Sequence, residues 1–370
     1  MNDRPVYSAA VIGCGAGGML SVRALAASDR FRLVGACDLR PDVRDTLAAE
    51  HPGIRTYADY RELLADAAAA AGTGDAIDVV CVSTYAPTHE EIALAALATR
   101  PRGLLVEKPL GDTAAAGRRI VDAVRRSGTP LAVPHGLVAR PTSLEILRRV
   151  RAGDIGEVRL VEIECAGWDI INAGIHWFQY AVNLLGADPF AGVLATCDTS
   201  SRTFRDGMRV ETEAVTYAWT RGGARVVLHS GDYVAQSRPG KDTLFRVVGT
   251  DGLVEFWGWE NGYRIVAGAG PADVGPIPEA DRSPHQVHLE ELARQIDEAE
   301  QDYTVADTSL RALELCEAAY LSHRHRCVVT FPLSEFVPPE FAPPQVPDWD
   351  PGTPYPGEGG GRDGRRLEAR

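Results

Sequence analysis

The sequence predicts an α/β chain, with a doubly wound parallel sheet in its first half and a second domain rich in strands that have one covered face. Three observations lead there. Short apolar runs alternate with helical stretches over residues 8–133, and such continuous runs suit parallel strands buried on both faces. Between 158 and 257 the strand-like runs alternate apolar with polar instead. At 370 residues the chain exceeds what a single core ordinarily serves.

The first strand spans 8–12 (SAAVI) and stops at Gly13-Cys14-Gly15-Ala16-Gly17-Gly18. A helix follows, with Leu20, Ala24 and Leu25 on one face, and then a strand over 31–37 that closes on Asp38. Gly13 suits the tight turn, Gly15 lets the backbone approach a pyrophosphate, and Gly18 lets the helix pack close to the sheet. The helix N-terminus, with Ala16, turns its N–H groups toward the phosphates. Asp38 stands 20 residues after Gly18, where an acid meets the adenosine ribose. Its charge repels a 2′-phosphate and favours NAD, while Arg40 keeps NADP open.

The alternation continues with a helix over 57–71, a strand over 77–82 with its loop at 83–89, and a helix over 90–98. A strand over 103–106 ends in Glu107-Lys108-Pro109, followed by a helix over 113–126 and a strand over 130–133. Ligands of such sheets lie at the carboxyl ends of the strands, so the loops at Gly13, Asp38, Ser83, Lys108 and His135 should share one rim. Further on, a helix over 143–151 leads to strands at 158–166, 214–220, 225–230, 243–248 and 253–257. Helices at 290–299 and 309–320 and a strand at 327–331 complete the ordered part.

Composition narrows the partners. Hydrophobic residues make up 45% and charged residues 24%, which excludes general disorder. The formal charge of −13, without a basic block, argues against nucleic acid and anionic membranes as partners. No apolar run is long enough to span a bilayer, and the N-terminus has no secretory pattern. Seven cysteines without C-x-x-C spacing read as reduced thiols of a cytoplasmic protein. No metal-ligand cluster is evident, since His323 and His325 lie close together but without acidic or thiol partners. The chain holds 36 Arg but only two Lys, Lys108 and Lys241. A lysine in such a chain suggests a task that a permanently charged guanidinium cannot do.

At Glu107-Lys108-Pro109 the sequence resembles the Gfo/Idh/MocA family of nicotinamide-dependent sugar and polyol oxidoreductases. The resemblance covers roughly residues 7–333. It includes the glycine loop, Ser83-Thr84-Tyr85-Ala86-Pro87-Thr88-His89, Ile155-Gly156-Glu157 and Gly174-Ile175-His176. Gly249-Thr250-Asp251-Gly252 and the helix from Leu310 to Tyr320 complete the set. The family implies a Rossmann domain, here 1–135, and an α+β substrate domain on an open, predominantly antiparallel sheet, here 136–336. A Pro/Gly-rich tail, 337–370, lies outside it. The sheet implies a substrate wall and an interface for a homodimer or homotetramer. The family's nicotinamide-flanking lysine and histidine correspond to Lys108 and His176. Ser83, Thr84, His89 and Glu107 join Gly13, Gly15, Ala16, Gly18, Asp38, Arg40 and Lys108 as expected cofactor residues.

The chemistry agrees. Oxidising a secondary alcohol requires a hydride acceptor and a group that takes the hydroxyl proton. An ammonium at the end of a buried strand can stabilise alkoxide character, and partial desolvation lowers its pKa. His176, at a helix start that Asn172 would cap, should be neutral and able to accept a proton. Most members carry Asp where this chain has Asn172. The lost attraction to an imidazolium is on the order of 4 kcal/mol at about 4 Å and an effective dielectric near 20. Asp169 is one candidate for the missing charge, and His135, Trp168 and Asp169 are candidate substrate contacts. His135 and Arg140 occupy a rim segment that also departs from the family, which leaves substrate identity open. Two other readings stand beside the dehydrogenase: an NAD-dependent glycosidase acting through transient oxidation, and a non-catalytic cofactor-binding sensor. The aromatic residues Phe341, Trp349 and Tyr355 give the tail a means of docking on the body or on a second subunit.

Overall fold

The computed structural model describes residues 4–339 and 349–355, apart from 71, 75, 201, 202, 269 and 280. The chain forms two compact units, 1–135 with 281–310, and 136–280 with 311–370.

The first unit begins β1 (Tyr7–Ile12), α1 (Ala16–Ala27), β2 (Phe31–Cys37), α2 (Pro41–Glu50), β3 (Arg55–Tyr57), α3 (Tyr60–Ala69). It continues β4 (Val79–Val82), α4 (Ala86–Ala98), β5 (Gly103–Val106), α5 (Ala114–Ser127), β6 (Leu131–Ala132). The six strands form a parallel sheet in the order β3-β2-β1-β4-β5-β6. Every residue of β1, β4 and β5 is buried, as their unbroken apolar runs require. Local chemistry sets the helix ends. Asp59 caps α3 by accepting Arg61 N–H, Thr113 caps α5 by accepting Ala116 N–H, and Gly128 at φ 69° stops α5.

The second unit opens with a 3₁₀ turn (Gly136–Ala139) and α6 (Pro141–Arg151), then β7 (Val158–Ala166). A π-type turn (Ile170–Gly174) leads straight into α7 (Ile175–Leu185). Strands follow as β8 (Phe190–Asp198), β9 (Thr203–Arg205), β10 (Met208–Val210), β11 (Glu213–Thr220) and β12 (Arg225–Gly231). The run ends with β13 (Thr243–Gly249), β14 (Leu253–Trp257), β15 (Tyr263–Ala267) and β16 (Gly270–Val274). Then α8 (Pro284–Glu298) belongs to the first unit, and α9 (Thr304–His325) carries the chain back to the second, which closes with β17 (Val329–Thr330). The large sheet has the order β16-β15-β14-β13-β7-β12-β11-β8-β17. All its pairs are antiparallel except β7 with β12, so it is the open, mostly antiparallel sheet expected. β9 and β10 form a separate hairpin.

Residues 281–310 return to the first sheet. Leu289, Leu292 and Ala293 of α8 join Val11, Val79, Cys81 and Leu105 in one buried cluster. Each such aliphatic side chain contributes about 1.5–3 kcal/mol on burial. Ser283, Pro284 and Gln286 start this helix six residues before the apolar periodicity suggests, with Ser283 Oγ accepting Gln286 N–H.

Gly18 shows how tightly α1 meets the loop before it, since a Cβ there would stand 1.8 Å from Gly13 O. Gly18→Ala should destabilise the chain by about 2–3 kcal/mol through backbone displacement. Denaturant melting of both proteins checks this, and an unchanged midpoint would contradict it.

Candidate active site

In the first unit the glycine loop lies between β1 and α1. Gly13 has φ 84°, and a Cβ there would strike Ser83 O at 2.7 Å. A Cβ on Gly15 would meet nothing within 4 Å, so the loop is open on that side. Asp38 ties the loop to β2: Oδ2 accepts Cys14 N–H at 2.9 Å and Oδ1 accepts Arg40 N–H at 2.9 Å. Burial, then the Asp38 charge, push the Cys14 thiol up to about 12, so it stays protonated near neutral pH. An open groove of about 850 Å³ runs from Gly15 and Ala16 along Met19 and Arg23 of α1 and is walled by Arg40 and Val43. Ser83 at the end of β4 is buried, and its Oγ has no hydrogen-bond partner among the described residues. An open cradle, a paired carboxylate and an orphaned buried hydroxyl fit a dinucleotide at this edge.

Lys108 follows β5 in a half-buried position. The buried Glu107 beside it fixes the local backbone: Oε2 accepts Lys108 N–H at 3.2 Å and Oε1 meets His285 Nε2 of α8 at 2.7 Å. Burial alone would raise the Glu107 carboxyl. The bond to and charge of His285, with Lys108 and His89, outweigh it and hold the carboxyl below its usual range. His89 was expected beside the cofactor. It is 1% exposed, and its ring nitrogens lie 2.9 Å from Thr84 O and from Pro109 O, so it ties the β4 loop to the Lys108 loop. His135 is fully enclosed, with Nε2 2.8 Å from Ser309 Oγ and its carbonyl 3.0 Å from His288 Nε2. Burial, then the charges of Lys108 and His288, push His135 well below the ordinary histidine value. Lys241, the other lysine, pairs with Glu260.

In the second unit His176 stands in the first turn of α7. Asn172 is not the N-cap that its spacing suggests. It lies inside the π-type turn, and Asp169 caps that turn by accepting Asn172 N–H on Oδ1 at 2.8 Å. The same oxygen accepts Asn172 Nδ2–H at 2.9 Å, and Arg205 Nη1 holds Oδ2 at 2.7 Å. Trp168 lies under the Arg205 guanidinium, 4.5 Å from ring centroid to Cζ. Asp169 is thus enclosed and fully engaged.

Two neighbours of this turn escaped the sequence reading. Glu211 is buried, with Oε1 accepting Ile170 N–H at 2.7 Å and Oε2 accepting the Tyr320 hydroxyl at 2.8 Å. Trp259, 42% exposed, sets its ring edge-on to His176 with centroids 6.0 Å apart, and Arg140 lies over that ring. Neither has a local signature, because each reaches the turn from a distant strand or loop.

Burial, then the Asp169 charge, raise the Glu211 carboxyl from 4.5 to about 7. A folded-state value above the unfolded one means the native chain holds the proton more tightly. The stability is therefore fully present below about 4.5 and is lost as pH rises through about 7. Glu211→Gln should remove that loss, so the variant should gain in melting temperature over wild type at pH 8 but not at pH 4.5. Equal differences at both pH values would refute the assignment.

Comparison with known proteins agrees with this geometry. Residues 7–135 match the family model described as an oxidoreductase family with an NAD-binding Rossmann fold. An inositol 2-dehydrogenase of Saccharopolyspora erythraea is 34% identical over 207 residues, 52% of this chain and 57% of that protein. The rhizopine catabolism protein MocA of Rhizobium meliloti is 27% identical over 268 residues, 67% and 78% of the two chains. The first match thus spans little more than half of its relative's length. Aldose-aldose oxidoreductase from Caulobacter crescentus superposes with a TM-score of 0.73 at 19% identity, over 88% of this chain and 99% of that one. Residues 7–135, with the glycine loop and the Glu107-Lys108-Pro109 step, are thus similar to the Gfo/Idh/MocA oxidoreductase family, and most of the chain shares the fold of the solved structure.

Proposed function

We propose that the protein is an NAD-linked oxidoreductase acting on a secondary alcohol, or the matching ketone, of a sugar, sugar derivative or cyclitol. The observation that carries this reading is Lys108, one of two lysines in the chain, at the end of a fully buried strand and bonded through its own N–H to a buried carboxylate. The bound dinucleotide supplies the hydride acceptor at its nicotinamide ring. Gly13, Gly15, Ala16 and Gly18 hold its pyrophosphate, and Asp38, Arg40, Ser83 and Thr84 hold the rest. Asp38 disfavours a 2′-phosphate, so NAD is preferred over NADP.

Lys108 hydrogen-bonds the substrate oxygen and takes up or returns its proton. His176 is the second proton-handling group, and Asn172 orients without adding charge. Trp259, partly exposed beside His176, offers an apolar ring against which the C–H face of a ring polyol can lie. The inositol 2-dehydrogenase among the relatives supports this substrate class. Asn172 is also the one feature favouring a cofactor-binding sensor. Tight NAD binding without turnover over a wide polyol and ketosugar panel would establish that alternative. Glycoside cleavage without net NADH would instead identify a glycosidase.

The reading extends to assembly and setting. Leu194 and Tyr217 are cross-strand neighbours on β8 and β11, exposed at 48% and 37%, and Val215 shares their face. A second copy of the chain, in a homodimer or homotetramer, would cover them. Seven separate thiols suit a reducing cytoplasm, and no helix among the described residues is long and apolar enough to cross a membrane.

Lys108→Ala should bind NADH nearly as wild type does but lose at least 100-fold in turnover, measured by nicotinamide absorbance. Near wild-type rates would refute the role. Tyr217→Asp should reduce the molar mass seen by light scattering on a sizing column. An unchanged mass would mean that this face is not the interface.

A further inference from the structure

The C-terminal stretch meets the second unit again at 349–355, on the edge of the β9–β10 hairpin. Arg209 N–H donates to Thr353 O at 2.8 Å, Gly352 N–H to Arg209 O at 2.9 Å, and Tyr355 N–H to Gly207 O at 2.8 Å. Trp349 is 5% exposed, and its indole N–H donates to Val210 O at 3.0 Å. The Tyr355 ring stacks on Phe204 with centroids 4.6 Å apart, and the Arg209 guanidinium lies over both Trp349 and Tyr355. Arg324 of α9 holds Asp350, and Gly352 sits so close to Tyr320 that a Cβ would come within 2.2 Å of its ring. Phe341, expected to share in this docking, lies outside the described residues.

This covered hairpin reaches back to the turn before His176. Arg205, the last residue of β9, holds Asp169, which holds both the backbone and the amide of Asn172. Glu211, just past β10, holds Ile170 N–H, and its other oxygen takes the Tyr320 hydroxyl on the helix under the segment. We propose that residues 349–355 and the β9–β10 hairpin form one brace for the turn that leads into His176, with Arg205 and Asp169 as positioning residues for the reaction. The proposal rests on the reading of His176 and Asn172 as reaction residues. Binding Nδ2 to Asp169 turns the Asn172 amide nitrogen toward the brace and its oxygen away from it. Arg205 neutralises Asp169, so the brace transmits an orientation and not the negative charge that the family's usual Asp would bring. Around Asp169 and Glu211 the described titratable groups include Tyr320 and Cys316 of α9, Cys197 of β8 and Cys165 of β7.

Three full-length variants test this: Arg205→Met, Arg205→Lys and Trp349→Ala. The His176 ring is titrated by carbon–proton NMR, and turnover is measured with myo-inositol and NAD. Arg205→Met removes the countercharge and should raise the His176 midpoint by at least 0.5 pH unit, on the order of a threefold change in proton affinity. It should also lower kcat about 10-fold or more while KM for NAD stays within twofold. Arg205→Lys should restore the midpoint and most of kcat, and Trp349→Ala should lower kcat at least threefold with KM for NAD unchanged. Wild-type titration and turnover in both Arg205→Met and Trp349→Ala would overturn the brace. If Arg205→Met does not fold, the other two variants decide, and a wild-type kcat in Trp349→Ala overturns it. Should the wild type turn over nothing in a wide polyol and ketosugar panel, the oxidoreductase reading fails. The His176 titration still judges the brace on its own.

Discussion

The position of Lys108 depends on one buried carboxylate. Glu107 cannot pay its desolvation without partners, and it finds them in the peptide N–H of Lys108 and the ring of His285. Removing either partner leaves a buried carboxylate short of a bond, so the lysine backbone has one favourable arrangement. His89 adds a second tie from the β4 loop to Pro109 O. The loop that carries the proposed proton acceptor is therefore held from two sides by imidazole rings, neither of which needs to touch a substrate.

The second unit solves the same problem with different groups. Its turn at 170–174 replaces a simple capped helix start, and the wider π-type geometry turns Asn172 inward, where Asp169 can take both of its N–H groups. Two carboxylates, Asp169 and Glu211, then lie buried with a single guanidinium. Burial first, and then their repulsion, account for the raised Glu211 value. Breaking such a buried pair ordinarily costs about 3–5 kcal/mol.

Much of the fold was legible because it is written in local period. The runs at β1, β4 and β5 and the glycine loop name a parallel sheet and its ligand edge without any tertiary information. Elements with weak local signals were missed. Strand β3 has three residues, none fully buried, and β16 is mostly exposed, so neither shows an apolar pattern. Candidate site residues could be named where spacing carries them, at Gly13, Asp38, Lys108 and His176. They could not be named where partners come from far along the chain: His285 lies 178 residues from Glu107, and Glu211 lies 41 from Ile170. The capping role went to Asp169 and not Asn172 because either residue can cap, and only the length of the turn decides between them.

The return of residues 281–310 to the first sheet has a consequence for biosynthesis. While the ribosome is still making the second unit, the cluster of Val11, Val79 and Leu105 lacks Leu289 and Leu292, and its apolar surface stays wet. Final closure of the nucleotide-binding unit must wait until α8 has left the exit tunnel. By the same logic, a fragment cut at residue 135 would be born with an uncovered flank and a tendency to aggregate.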